Sequence, residues 1–155
     1  MTAVQLESLG PPAIKFAGFQ LWVHSRQFPE ATDYWDGNWL NVTVHCGASG
    51  SSVWATGAIL DIVAIARWGT QLESLYRTLT GEAVLASDEP NLEVRVTSTD
   101  TSGHVLLRVE ITPDHMTQEH MFGFATDQSY LPGVIGGCRT IVENYPIRDL
   151  ARRGV

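Results

Sequence analysis

Apolar and polar residues alternate with a period of two along most of this chain, and in two places the period lengthens to that of a helix. Ile14 to Phe28 reads as strand material, folded into a hairpin near Gly18 and ended by Phe28-Pro29-Glu30. Trp39-Leu40-Asn41-Val42-Thr43-Val44 alternates like a half-buried strand that continues to Cys46. The Gly- and Ser-rich run from Gly47 to Ser52 is a hairpin connection. Beyond it, Val53, Ala55, Gly57 and Ile59 share one face of the next strand. Asp61 is placed to cap a helix that runs to Thr80 and stops at Gly81. Ile65, Trp68, Leu72, Leu75, Tyr76 and Leu79 recur at three- and four-residue steps, one stripe that predicts packing on a sheet.

From Gly81 the period returns to two. Ala83 to Ser87 is a short strand, and Glu89-Pro90-Asn91 turns the chain. Leu92, Val94 and Val96 alternate with Glu93, Arg95 and Thr97. Asp100-Thr101-Ser102-Gly103 then closes a hairpin onto Val105, Leu107, Val109 and Ile111. A further strand covers Gln118 to Thr126. Tyr130 to Tyr145 reads as a second helix carrying Leu131, Val134, Ile135, Cys138, Ile141 and Val142, terminated by Pro146. Gly136-Gly137 inside it implies close packing. Strands, helix, strands, helix with short links predict a single α+β domain: a mostly antiparallel sheet of about seven to eight strands with two helices on one face. Residues 1–12, ending in Gly10-Pro11-Pro12, read as a loose or extended leader, 13–150 as the domain and 151–155 as a tail.

Length and composition narrow the function classes. A chain of 155 residues that is 44% apolar and 17% charged buries a real core, which excludes disorder. Its net charge of -7, from 17 acidic and 10 basic residues, lacks the basic footprint of direct nucleic-acid binding. The same charge speeds association with a basic partner, although an ordinary solvated surface accounts for it equally. Cys46 and Cys138 lack metal-type spacing and read as small buried hydrophobes. Neither a secretory signal nor an apolar stretch of membrane-spanning length is visible, so no membrane association and a cytoplasmic location are expected. No motif calls for a cofactor.

The densest chemistry lies in Asp33-Tyr34-Trp35-Asp36-Gly37-Asn38-Trp39-Leu40, where two carboxylates, an amide and three large aromatic rings surround one glycine. Asp36-Gly37-Asn38 reads as a tight turn, with glycine at positive φ and the Asp and Asn side chains bonding their own backbone. Aromatics beside carboxylates suit a protein partner with Arg or Lys knobs. The competing reading is that the rings staple the loop to the sheet. Candidate partner-binding residues are Asp33, Tyr34, Trp35, Asp36 and Asn38, with Glu30 at the edge. The remaining tryptophans, Trp22, Trp54 and Trp68, belong to the core or its rim.

Two alternatives compete with binding through this knuckle. Asp114, His115 and His120, with Asp127 nearby, form a candidate metal cluster for a small enzyme or sensor. Five steps separate the two histidines, however, which turns them to opposite sides of an extended segment. Asp33, Asp36 and Asp127 are candidate acid–base carboxylates, but Asp36 is explained as a turn residue and Asp127 as a helix cap. No nucleophile elbow or phosphate-cradling loop is present, so binding without turnover is the preferred reading. The other alternative is a homodimeric scaffold whose self-interface is the loop aromatics.

Phe28-Pro29, the Asp33–Leu40 knuckle leading into a strand, and Glu89-Pro90-Asn91-Leu92 following a helix resemble the WapI-like immunity proteins of bacteria, over Ile14 to Val96. The resemblance implies a small cytoplasmic protein of a toxin-antitoxin pair, which binds and masks a toxin domain. Such toxins are often nucleases with basic surfaces, and the net charge of -7 agrees with that partner.

Overall fold

The computed structural model describes residues 2–149. Within them, four antiparallel strands followed by a helix occur twice. The first set is β1 (Ile14–Phe16), β2 (Phe19–Arg26), β3 (Trp39–Ala48) and β4 (Ser51–Asp61), followed by α2 (Ile62–Thr78). The second is β5 (Glu82–Ala86), β6 (Leu92–Ser98), β7 (His104–Ile111) and β8 (Met121–Asp127). A 3-10 turn over Gln128–Tyr130 then leads into α3 (Leu131–Asn144). The predicted α+β class and antiparallel strands hold, but the strands divide into two four-stranded sheets, ordered β1-β2-β3-β4 and β5-β6-β7-β8. The division falls at α2, because a helix between β4 and β5 removes the short link that hairpin pairing needs. The expected loose leader contains a one-turn helix, α1 (Ala3–Glu7). The expected tail, 151–155, lies outside the described residues.

The second sheet follows its sequence pattern closely. Leu92, Val94 and Val96 stand opposite Ile111, Val109 and Leu107, all buried on one face. On the other face Arg95 pairs with Glu82 at 2.6 Å and Arg108 with Glu110 at 2.9 Å. The first sheet departs from strict alternation. Its register slips between Leu40 and Val42 opposite β4, where Gly57 adopts φ +135°. That bulge turns both Ile59 and Leu60 inward, a pair that a period of two cannot place on one face. It also brings Asp61 opposite Trp39, so the knuckle ends beside the start of α2.

Asp61 caps α2 as expected, accepting the Ala64 amide at 2.8 Å. The helix closes at Leu79, which takes the left-handed conformation at φ +54°, two residues before the glycine expected to stop it. Ile65, Trp68, Leu72 and Leu75 are buried, while Tyr76 of the predicted stripe is exposed. One core joins both sheets and both long helices. The helices approach closely at Gly69, where a Cβ would lie 3.0 Å from that of Cys138. Of the glycine pair in α3, Gly137 serves the close approach, since a Cβ there would stand 2.7 Å from the Ala13 carbonyl. Gly136 faces open space.

Candidate functional site

The knuckle between β2 and β3 is organised by Asp33. Its Oδ2 accepts the Trp35 and Asp36 amides at 3.1 and 3.0 Å, and its carbonyl accepts the Gly37 amide at 3.1 Å. These donors, Asp36 first, hold the Asp33 carboxyl below its ordinary pKa of 3.8. Gly37 is required for a different reason from the one expected. Its φ is not positive; a Cβ there would sit 2.4 Å from the Asp33 carbonyl and 2.8 Å from that of Ala31. The turn closes so tightly on itself that no side chain fits.

Asn38 is not a surface residue. It is 1% exposed. Its Nδ2 donates to the Tyr34 carbonyl at 2.8 Å and to the Arg148 carbonyl at 2.7 Å. Its Oδ1 accepts the Arg148 amide at 2.8 Å. The amide is therefore an internal tie between the knuckle and the segment after α3, and it leaves the set of candidate partner-contacting residues. The reason is the sharp reversal at Gly37, which turns the next side chain beneath the loop.

Two arginines complete the support. Arg26, 8% exposed at the end of β2, donates Nη1 to the Gly37 carbonyl at 2.7 Å and Nη2 to the Pro146 carbonyl. Its guanidinium lies 5.9 Å from the centre of the Tyr145 ring. Burial, with the nearby Arg148 cation, lowers its pKa from the ordinary arginine value. Arg148 Nη1 reaches the carbonyls of Pro29 and Ala31, on either side of Glu30. Reading the sequence missed both arginines. Arg148 lies 110 residues from Asn38 along the chain, and no local pattern connects them.

What this framework leaves outside is aromatic and acidic. Trp35 is 68% exposed, with its ring set edge-on to Tyr34 at 5.1 Å and 87°. Glu30 and Asp36 are exposed, and Asp33 and Tyr34 are half-buried. Beside the rings runs a groove of about 320 Å³, bordered across from the knuckle by Asp61 and Arg67 of the α2 entry and by Ser87 and Asp88 after β5.

The candidate metal residues do not converge. Asp114 is engaged by the Met116 amide at 3.0 Å and the Thr117 hydroxyl at 2.9 Å. His115 and His120 border a shallow groove with Arg108 and Glu110. Asp127 lies at the far end of β8, opposite His104, and accepts the Ser129 amide at 2.8 Å. It caps the 3-10 turn and not, as expected, the long helix, whose N-cap is Tyr130 with no side-chain bond. Among the described residues no three His, Cys, Asp or Glu side chains form a group able to hold a metal. Burial pushes both thiols, Cys46 and Cys138, up to about 12, where a nucleophilic thiolate is suppressed. Among the described residues no helix is long and apolar enough to cross a membrane.

A sequence profile of the immunity protein WapI-like family matches residues 13–146, taking in both sheets, the knuckle and α3. The chain belongs to that family. The match extends well past Val96, where the residue-level resemblance ends. No curated protein matches this member in sequence. In fold it is similar to a chain of the CdiA-CT/CdiI toxin and immunity complex from Enterobacter cloacae, with a TM-score of 0.43 and 9% identity over 79% of this chain and 99% of that one. It is also similar to the plant transcriptional regulator PBF-2, with a TM-score of 0.44 and 9% identity over 82% and 75% of the two chains. WHY3 from Arabidopsis thaliana gives a TM-score of 0.41 and 7% identity over 85% of each chain. These are likenesses of backbone arrangement and say nothing of function.

Proposed function

We propose that this member of the immunity protein WapI-like family acts in the cytoplasm by masking a toxin domain, without turnover, and docks through the knuckle. The supporting observation is Trp35, a large ring 68% exposed on a turn whose backbone is tied down from within. A rigid exposed aromatic loses little conformational entropy when a partner covers it, which is the usual character of an interface anchor. Around it Glu30, Asp33 and Asp36 supply carboxylates for basic side chains, and Tyr34 supports the indole. The partner that suits this surface and the net charge of -7 is a basic domain, such as a nuclease.

The direct test is to identify a toxin gene adjacent to this one and to titrate its C-terminal domain by calorimetry. Trp35→Ala is expected to weaken binding by about 2 kcal/mol or more while leaving the melting temperature unchanged. An unchanged dissociation constant in the folded variant removes Trp35 from the interface, and with it the observation that supports docking through the knuckle. Light scattering of the free protein tests self-association through the same aromatics, which would show as a dimer that Trp35→Ala dissociates.

A further inference from the structure

The knuckle sits in the loop of residues 27–38 between β2 and β3, yet much of what holds it comes from beyond α3. Pro146 and Arg148 are bonded to it or to its support at four separate points. The Arg148 backbone closes a two-way pair with the Asn38 amide, at 2.8 Å through its N–H and 2.7 Å through its carbonyl. The Arg148 guanidinium grips the Pro29 and Ala31 carbonyls. Arg26 bridges the Gly37 and Pro146 carbonyls, joining the two segments from below. The Arg148 side chain also closes over the one place where the turn admits no side chain, its Cδ 3.2 Å from where a Cβ on Gly37 would stand.

We infer that residues 146–149 act as a positioning strap: Arg148, working through Asn38 and the carbonyls around Glu30, holds the knuckle in its docking shape before a partner arrives. This rests on the proposed docking role for its consequence, but not for its existence. A turn without the Arg148 grip opens more often, exposing the amides of Trp35, Asp36 and Gly37 that Asp33 engages, and loses its orientation relative to β3. An unstrapped knuckle must then be ordered at the moment of binding, and affinity falls by that cost. The strap is separate from the core. Pro146, Ile147 and Arg148 contribute nothing to the buried apolar cluster, and Ile147 is 41% exposed. Loosening it therefore disturbs the knuckle in preference to the sheets.

The experiment compares the full chain with Arg148→Gln and Arg148→Lys by amide hydrogen exchange, without any partner. In Arg148→Gln, exchange at Trp35, Asp36 and Gly37 is expected to accelerate by roughly tenfold or more, while Val42, Val44 and Val94 in the sheets keep their protection. Arg148→Lys restores part of the protection, because its ammonium still reaches a carbonyl. Unchanged exchange over 33–38, or an equal rise across knuckle and sheets, overturns the inference. The second outcome would make Arg148 a general stabiliser. Binding to a toxin C-terminal domain found by genomic adjacency then separates the two proposals. If Trp35→Ala weakens binding and Arg148→Gln does not, the strap fails as a device for docking while the docking role stands. If neither weakens it, the docking role fails, and the exchange result alone decides whether the strap orders the loop.

Discussion

At the scale of single residues, neighbours in the knuckle divide their labour. Trp35 faces out and Asn38, three positions on, is 1% exposed with its amide engaged at both ends. Removing that amide strands the Arg148 amide and two carbonyls below the loop. Asn38→Ala is therefore expected to cost about 2 kcal/mol in denaturant unfolding, several times the cost of an exposed substitution such as Asp36→Ala. Asp33 makes the turn sensitive to acid. Its folded-state pKa lies below 3.8, so its contribution is full above that value and is lost as the pH falls through the lower folded value. Trp35 and Asp36 amide resonances followed in an acid titration should move with a midpoint below 3.8, and Asp33→Asn should abolish that step. A midpoint at or above 3.8 would contradict the turn described here. The aromatic–acidic composition of the loop was plain from the sequence. Which of its side chains point outward was not, because a reversal that excludes any Cβ at Gly37 has no signature in a period of two or of 3.6.

At the scale of elements, the point where β4 meets α2 matters most to the site. Asp61 ends the strand, caps the helix and borders the groove beside the rings. Asp61→Ala is expected to destabilise the protein by about 1 kcal/mol in chemical unfolding, with Asp61→Asn close to wild type because an amide oxygen still caps. Both helices and the strands from Leu92 to Ile111 were legible from periodicity, since each buries one clean face. The bulge beside Leu40 was not legible. It depends on the pairing of two strands, and it inverts the burial of Leu60 relative to the pattern of its own strand. The partition into two sheets was hidden for a related reason. Alternation shows that a strand has a buried face, and it is silent on which sheet supplies the other half of the core.

At the scale of the whole molecule, the net charge of -7 and the acidic rim of the knuckle act together. If the partner is basic, the association rate should fall as salt rises from about 0.05 M to about 0.5 M, with the dissociation rate changing far less. Stopped-flow mixing with the toxin domain measures both, and a salt-independent association rate would argue for an uncharged interface. The two thiols contribute nothing to this surface, being sealed in the core.

By itself the sequence determined the α+β class, the two long helices, the antiparallel strands and the aromatic and acidic make-up of the loop between β2 and β3. Each of these is written in neighbouring residues, through periodicity, caps and composition. Only the tertiary structure decided that the strands form two sheets, that Asn38 is internal and that Arg26 and Arg148 support the knuckle. It also kept Asp114 and Asp127 apart. Those outcomes depend on contacts between residues as much as 120 positions apart, and such contacts exist only once the chain has closed around a shared core.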